Sequence, residues 1–474
     1  MYYLLNKDRL VAEFDIHKDI LGDIYKLNII QQDGMPIGFE NIQKWIDNRK
    51  GSKHNAHLKK IMSMCGCDTT EGFIAVTHSA TINDTFWIKS DKENINWKDV
   101  SLYTNEFNQV VSRLAFEGVG LYGIELSSTI PELSTEGSFR KCWRKEAEGI
   151  FLYKRGQDGG FNAGLEPYCE VMASELAAKL CGDSVKYDLV KLYGELATRC
   201  RLFTNENEGY VPAANYHIEK NLRELIRFYE QIGSEEAFRR MIVLDGITFN
   251  VDRHAGNYGI LIDNDTLEPL KMAPVFDFNL SMLPYVLKDE FEDIGTKLLE
   301  YGPRIGDDFV RTAHAMLTPS IRADLVALKG FQFSFRGDEV FPEERVEKME
   351  ELINRQIEGI LDNNVLMTRD VFIPHIPEQH TISKKVADDR QESKIAEAVK
   401  VIEDIQSVES SYTECDENGD LILHIIIKGM HDVEILFNAA QEELTIEKEG
   451  NMIVDVADCH IEDVYRKVQQ AIIR

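Results

Sequence analysis

The sequence predicts an α+β protein with a β-rich first part, a mainly helical second part and a small α+β domain appended at its C-terminal end. Three observations predict it. The chain has 474 residues, which the usual domain size of roughly 150 residues divides into about three. Its first part pairs strand patterns and follows them with one well-formed helical pattern, and longer helical spacing comes after. A linker containing Pro and His then sets off a last stretch with its own strands and its own apolar helix face. The expected boundaries are 1–185 for an N-terminal region and β-rich N-lobe and 186–365 for a mainly helical C-lobe. The linker is expected over 366–385 and the accessory domain over 386–474.

Composition narrows the class. At 43% hydrophobic and 28% charged residues the chain reads as a soluble globular protein. A formal charge of -28 excludes a protein that grips nucleic acid or an anionic membrane through its net field. Direct nucleic-acid binding and membrane association are therefore not expected, and any polyanionic ligand must be met by locally clustered bases. Charge interrupts the stretch MYYLLNKDRLVAEFD before it reaches signal-peptide length. No later run approaches the roughly 18 apolar residues that span a bilayer, so a cytoplasmic location is expected. The eight cysteines are scattered, and Cys65 and Cys67 have no second pair to complete a metal site, so reduced thiols are expected.

Taken in order, residues 1–130 alternate short strand-like and helical segments, with apolar-aromatic stretches at 72–76 and 84–88. A hydroxyl-rich loop, Ser134-Thr135-Glu136-Gly137-Ser138, precedes two strands at 141–144 and 149–153 joined by a polar turn. Residues 166–180 show helical spacing, with Val171, Leu176, Ala177 and Leu180 on one side, Pro167 near the start and Gly182 past the end. A second β region covers 187–203, and one helical stretch runs over about 222–244. The polar loop 247–257 leads into a hairpin with strands at 258–262 and up to Asp277, turning at 263–266. Beyond 363 come the linker, a charged helix at 387–407, three or four short strands between 421 and 456, and a last helix capped by Asp458.

Chemistry concentrates in Asn250-Val251-Asp252-Arg253-His254-Ala255-Gly256-Asn257, together with Asp277. Phosphoryl transfer from a nucleotide needs an acceptor for the incoming hydroxyl's proton and oxygen ligands for magnesium bridging the phosphates. Asp252 and Asn257 have the D-x-x-x-x-N spacing of a kinase catalytic loop, and Asp277-Phe278-Asn279 stands where D-F-G would. The remaining parts lie upstream in the right order. Backbone N–H groups of the Ser134 to Ser138 loop can wrap phosphates, Lys154 follows on a strand, and Glu170 falls near the start of the next helix, where it can pair with Lys154. Arg140, Lys141, Arg144 and Lys145 offer the local positive charge an acidic chain lacks.

The segments STEGSFRKCWR (134–144), IFLYKRG (150–156), EPYCEVMASELA (166–177), LDGITFNVDRHAGNYGIL (244–261) and VFDFNLS (275–281) resemble the HipA-like serine/threonine kinases. The catalytic loop of that family is distantly similar to that of phosphatidylinositol kinases. The resemblance covers roughly residues 70–320, with NVDRHAGN as its most specific part. It implies a two-lobed protein-kinase-like fold. It also implies Asp252 as the catalytic Asp, Asn257 and Asp277 as magnesium ligands, Lys154 as the ATP-phosphate lysine and Glu170 as its partner. Asn279 departs from the Gly of D-F-G, which such sequences do not strictly require. HipA-like relatives can autophosphorylate a Ser in the phosphate loop, which here points to Ser134, Thr135 or Ser138, with Ser138 preferred because it precedes the basic strand.

The expected activity is ATP- and Mg2+-dependent phosphorylation of a Ser or Thr hydroxyl on a protein substrate, with the C-terminal domain as a site for a protein partner. A small-molecule or lipid hydroxyl kinase and a nucleotide-binding pseudokinase scaffold are the alternative readings. Some roles are open at this point. Arg253 reads either as a structural ion pair or as a substrate contact, and His254 as loop support or an acid–base group. Glu166 and Glu175 are rivals to Glu170, while Asp245 and Asp263 read as cap or turn residues.

Overall fold

The computed structural model describes residues 1–19, 22–28, 34–39, 41–51, 56–117, 129–135, 139–157, 164–216, 221–287, 289–291, 294–298, 301–363 and five strands between 408 and 456. It is a mixed α and β structure with several sheets, divided into two compact units, Met1–His375 and Ile376–Arg474. Among the described residues no helix is long and apolar enough to cross a membrane.

The first unit opens with strands β1 (Tyr2–Asn6), β2 (Arg9–Asp19) and β3 (Gly22–Asn28) and helices α1 (Ile42–Arg49), α2 (Ala56–Met64) and α3 (Thr70–Thr77). Strand β4 (Phe86–Ser90) and helices α4 (Trp97–Val100) and α5 (Gln109–Glu117) complete this part. The strands form one antiparallel sheet in the order β3-β2-β1-β4. Phe14, Trp45, Phe73 and Phe86 are buried together between sheet and helices. Of the two apolar-aromatic stretches, 72–76 lies in α3 and Phe86 to Ile88 in β4. Thr69 caps the first by accepting a hydrogen bond from the Gly72 N–H at 3.0 Å. Cys65 and Cys67 lie just past α2 as buried thiols, which burial pushes up to about 11 and about 12.

Next come β5 (Lys141–Glu146), β6 (Gly149–Arg155), α6 (Glu166–Leu180), β7 (Tyr187–Leu192) and β8 (Glu195–Arg201). The four strands form a sheet in the order β5-β6-β8-β7, so β6, which carries Lys154, is central, with Lys141 on one side and Thr198 on the other. Helix α6 buries more than the single stripe its spacing implies. Val171 is only partly covered, whereas Cys169, Met172, Ala173, Leu176 and Ala177 are fully buried, because the helix packs between this sheet and the helices that follow.

Strand β9 (Glu208–Pro212) is followed by α7 (Leu222–Gln231), α8 (Glu235–Thr248), β10 (Gly259–Asp263) and β11 (Pro269–Met272). The single helix expected over 222–244 is therefore two. Gly233, at φ +68°, breaks it, and the Ser234 N–H turns back to the Tyr229 carbonyl at 2.7 Å. The second helix runs four residues past Leu244 and ends where Phe249 adopts a left-handed conformation. Helices α9 (Ile294–Leu298), α10 (Phe309–Ala315), α11 (Pro319–Ala327) and α12 (Glu343–Asp362) close the unit, α10 and α12 packing on α8. Gly246 of α8 permits that approach: a Cβ there would meet the Ala313 Cβ at 2.8 Å and the Phe309 carbonyl at 2.9 Å.

The second unit contributes β12 (Val408–Cys415), β13 (Leu421–Ile427), β14 (Val433–Asn438), β15 (Glu443–Lys448) and β16 (Asn451–Val456). They form an antiparallel meander in sequence order. Strand β12 precedes the three or four strands expected from the sequence. The helices expected at 387–407 and after Asp458 lie outside the described residues.

Candidate active site

Helix α8 ends in a loop that is laced together by its own side chains. The Asn250 amide nitrogen donates to Asp245 at 2.9 Å, while its oxygen accepts from the Asp252 N–H at 2.9 Å. The Asn257 Nδ2 donates to the Asp252 carbonyl at 3.0 Å, and the His254 Nδ1 accepts from the Gly256 N–H at 3.0 Å. Arg253 lies underneath, 2% exposed. It donates to both Asp245 oxygens at 2.9 Å, to the Asn257 carbonyl at 2.9 Å and to the Phe276 carbonyl at 2.5 Å. Such burial excludes substrate contact and makes Arg253 the internal support of the loop. Asp245 is correspondingly not a cap or turn residue but the buried counter-ion of Arg253, whereas Asp263 does shape a turn, accepting from the N–H groups of Asp265 and Thr266.

Opposite this loop, Lys154 is 6% exposed and Glu170 1% exposed. The Lys154 Nζ donates to Glu170 Oε1 at 2.5 Å and to Asp277 Oδ1 at 2.7 Å. The Thr198 hydroxyl donates to the second Glu170 oxygen at 2.6 Å, so the strand beside Lys154 also fixes its partner. Glu166 accepts instead from the Gly164 N–H and the Tyr285 hydroxyl, and Glu175 from Ser334, which leaves Glu170 alone with the lysine among the three. Asp277 reaches the lysine because its segment is held to the turn after α6: the Val185 N–H donates to the Val275 carbonyl at 2.9 Å and the Val275 N–H to the Asp183 carbonyl at 3.1 Å. Two residues on, Asp277 adopts φ +57°, a left-handed conformation that Asp tolerates better than most residues, and its N–H donates to the Tyr187 hydroxyl.

Burial alone would lower the Lys154 ammonium, but Asp277 and Glu170 outweigh it and hold the group above the ordinary lysine value. Burial would raise the Asp277 carboxyl, and Lys154 holds it below its usual range instead. Burial raises Glu170. Asp252 is also raised, chiefly by burial and then by the nearby Asp277 carboxylate, against the opposing pull of His254 and Arg304.

Lys154, Asp252, Asn257 and Asp277 share one cleft of about 840 Å³. His254 lies at its edge, exposed. Of the basic residues expected to supply positive charge, only Lys141 lines the cleft. Arg140 donates to the Glu117 carbonyl, Arg144 stands over the Tyr193 ring and Lys145 donates to the Thr104 carbonyl. Among the described residues, the other cations lining the cleft are Lys44 of α1, Lys50 just past its end and Arg201 at the end of β8, none of them expected there from the sequence. Ser134 and Thr135 line it as well, but Ser134 ends a 3-10 turn and donates to the Ala80 carbonyl at 3.0 Å. Thr135 donates to the Pro131 carbonyl and accepts from the Trp143 indole N–H, so both hydroxyls hold the turn in shape. Gly137 and Ser138 lie outside the described residues.

Among the described residues no group of three or more His, Cys, Asp or Glu could hold a metal ion. Magnesium brought by nucleotide phosphates requires less, commonly one or two carboxylates with phosphate oxygens and water. Asp277 and Asn257 supply hard oxygen donors.

No family model and no curated protein sequence matches the chain. Among solved structures it is similar to HipA of Shewanella oneidensis MR-1, solved with HipB and operator DNA, at 13% identity, covering 78% of this chain and 99% of that one with a TM-score of 0.46. It is also similar to the proinflammatory kinase CtkA of Helicobacter pylori, at 14% identity, covering 49% of this chain and 93% of that one with a TM-score of 0.34. CtkA is a kinase, and HipA bears the name of the family that the loop sequence resembles.

Proposed function

We propose that this protein transfers the γ-phosphoryl group of ATP to a Ser or Thr hydroxyl of a protein substrate. The observation that carries the reading is the buried Lys154, held between Glu170 and Asp277 in the same cleft as Asp252 and Asn257. In this reading β5 to β8 with α6 form the N-lobe and α7 to α12 the helical lobe, which moves the boundary expected at 185 past β8, since β7 and β8 share a sheet with β5 and β6. Leu152, Phe203, Tyr210 and Phe276 give the cleft an apolar stretch for the base. Lys141 and Lys154, side by side on neighbouring strands, meet the phosphates.

Asp277 and Asn257 would hold magnesium, which supplies charge neutralisation along the phosphates. The acceptor hydroxyl oxygen forms the new bond to the γ-phosphorus, its proton passes to Asp252, and the bond to the β-bridging oxygen breaks, so that ADP departs with the electron pair. Arg253 and Asn257 keep Asp252 in position from below. Ser138 is proposed as an autophosphorylation site, since a phosphate of about -1.5 to -2 charges there would compete with ATP for Lys141 and Lys154. The unit Ile376–Arg474 is read as a module for a protein partner. Incubating the purified chain with Mg-ATP and mapping phosphosites by mass spectrometry tests the reading without a known substrate. Phosphate on the chain supports it, provided that Asp252→Ala removes it; the absence of both phosphate and ATP turnover contradicts it.

A further inference from the structure

The segment that follows α9 brings one cation to Asp252. Its backbone is anchored on the helical core. Ile305 is buried, Gly306 takes φ +87° against the Thr312 side chain, and Asp308 caps α10 by accepting from the Val310 and Arg311 N–H groups at 2.9 and 3.0 Å. Arg304, at the head of this anchored stretch, is 63% exposed, and its Nη2 stands 3.7 Å from Asp252 Oδ1. That separation is an ion pair without a hydrogen bond. Asp252 is also the nearest anionic partner of Arg304 among the described residues. Asp252 lines the cleft that holds Lys154 and Asp277, whereas Arg304 does not, so Arg304 approaches Asp252 from outside the nucleotide region. With nucleotide filling the cleft, that side is open for an acceptor hydroxyl to deliver its proton to Asp252.

A guanidinium offers a rigid fork of donors suited to a carboxylate and is more weakly hydrated than an ammonium. A tight bond to Asp252 would weaken the base that the reaction needs. At 3.7 Å the guanidinium retains donors for a second anion. Resting on the kinase reading above, we propose that Arg304 is a specificity-determining residue that pairs with a carboxylate flanking the acceptor hydroxyl, so that the substrate is an acidic segment around a Ser or Thr. The overall charge of -28 would by itself draw basic segments to this face. Arg304 opposes that field at the position where a residue neighbouring the acceptor must lie.

The test uses the full chain with Mg-ATP and peptides in which a central Ser or Thr is flanked by Glu, Gln or Lys. Wild type is expected to use Glu-flanked peptides about tenfold better than Gln-flanked ones in kcat/KM, mainly through KM. Arg304→Glu is expected to invert the order in favour of Lys, a reversal that a merely structural role would not produce. Equal use of Glu- and Gln-flanked peptides by wild type, or an acidic preference kept by Arg304→Glu, overturns the proposal. The underlying reading fails differently: neither the chain nor any peptide then acquires Asp252-dependent phosphate, and the proposal falls with it. Asp252-dependent phosphate on the chain itself, without acidic preference among the peptides, overturns the proposal alone.

Discussion

Asp277 is held by one lysine and stands at the edge of the cleft, 27% exposed, where a second cation can reach it. Replacing it by Asn removes a charged ligand at little cost in volume. Asp277→Asn is expected to weaken magnesium-dependent ATP binding by about tenfold while leaving the fold intact, since an anionic carboxylate binds the cation more strongly than a neutral amide oxygen. A magnesium titration of nucleotide binding checks this, and an unchanged metal dependence would remove Asp277 from the metal site. Asp252 gives a pH prediction. Burial and Asp277 raise its carboxyl above the ordinary Asp value, and a protonated carboxyl cannot accept the acceptor's proton. As pH falls through that raised pKa the base is lost, so the acid limb of the kcat/KM profile should lie above the range of an ordinary Asp. An acid limb at or below that range would count against Asp252 as the base.

The geometry of these residues was unequally legible in the sequence. Lys154, Glu170 and Asp277 could be nominated because each follows a recognisable element in a fixed order, and local pattern is enough to number elements. Asp245 could not be understood in the same way. Its partner Arg253 lies eight residues away across a helix end, and only knowing that α8 continues to Thr248 puts Asp245 inside the helix instead of at its cap. One signal was available: a single carboxylate inside the apolar run Met241 to Ile247 needs a buried partner. Thr198 and Arg201 were missed because a strand pattern does not say which neighbour it pairs with, and register alone brings them to the site.

Among the elements, α8 connects the loop of Asp252 to the helical core, and Gly246 sets how closely α10 approaches it. Gly246→Ala would gain about 1 kcal/mol of helix propensity. It would also drive a methyl into the Phe309 backbone and Ala313, which cannot swing aside. Overpacking costs about 1–3 kcal/mol, so a net loss of up to about 2 kcal/mol is expected, read as a lower urea midpoint at unchanged slope. A gain in stability would show that the two helices are not tightly apposed. The break between α7 and α8 illustrates why helix ends were less legible than helices: Gly233 is a weak signal inside a periodic run, and it matters because its positive φ lets Ser234 turn back and take the Met272 N–H on its hydroxyl at 2.9 Å.

For the whole molecule, the division into Met1–His375 and Ile376–Arg474 implies that the first unit has its own core. The large apolar cluster runs from α6 through α8 to α12 and ends within α12, whose C-terminus is capped by Asn363 in a left-handed conformation. Truncation after Asn363 should therefore give a soluble, cooperatively unfolding protein that retains Mg-ATP binding; an aggregating product would mean that the first unit depends on the second. Net charge spoke to the whole molecule and required locally clustered bases without saying which residues supply them. Among the described residues that line the cleft, Lys44, Lys50, Lys141, Lys154 and Arg201 outnumber Asp47, Asp252 and Asp277, although the chain carries -28. Those lysines and that arginine come from distant parts of the sequence, so composition could not show them together.

The central claim is that Asp252 takes the acceptor's proton while Lys154 and Asp277 attend to the nucleotide. Comparing wild type with Asp252→Ala, with ATP binding and phosphoryl transfer measured on the same folded preparations, tests it most directly. Transfer in the variant should fall by at least about a hundredfold, the usual worth of a positioned base, with ATP affinity changed by no more than about twofold. Near-wild-type transfer by Asp252→Ala would contradict the account.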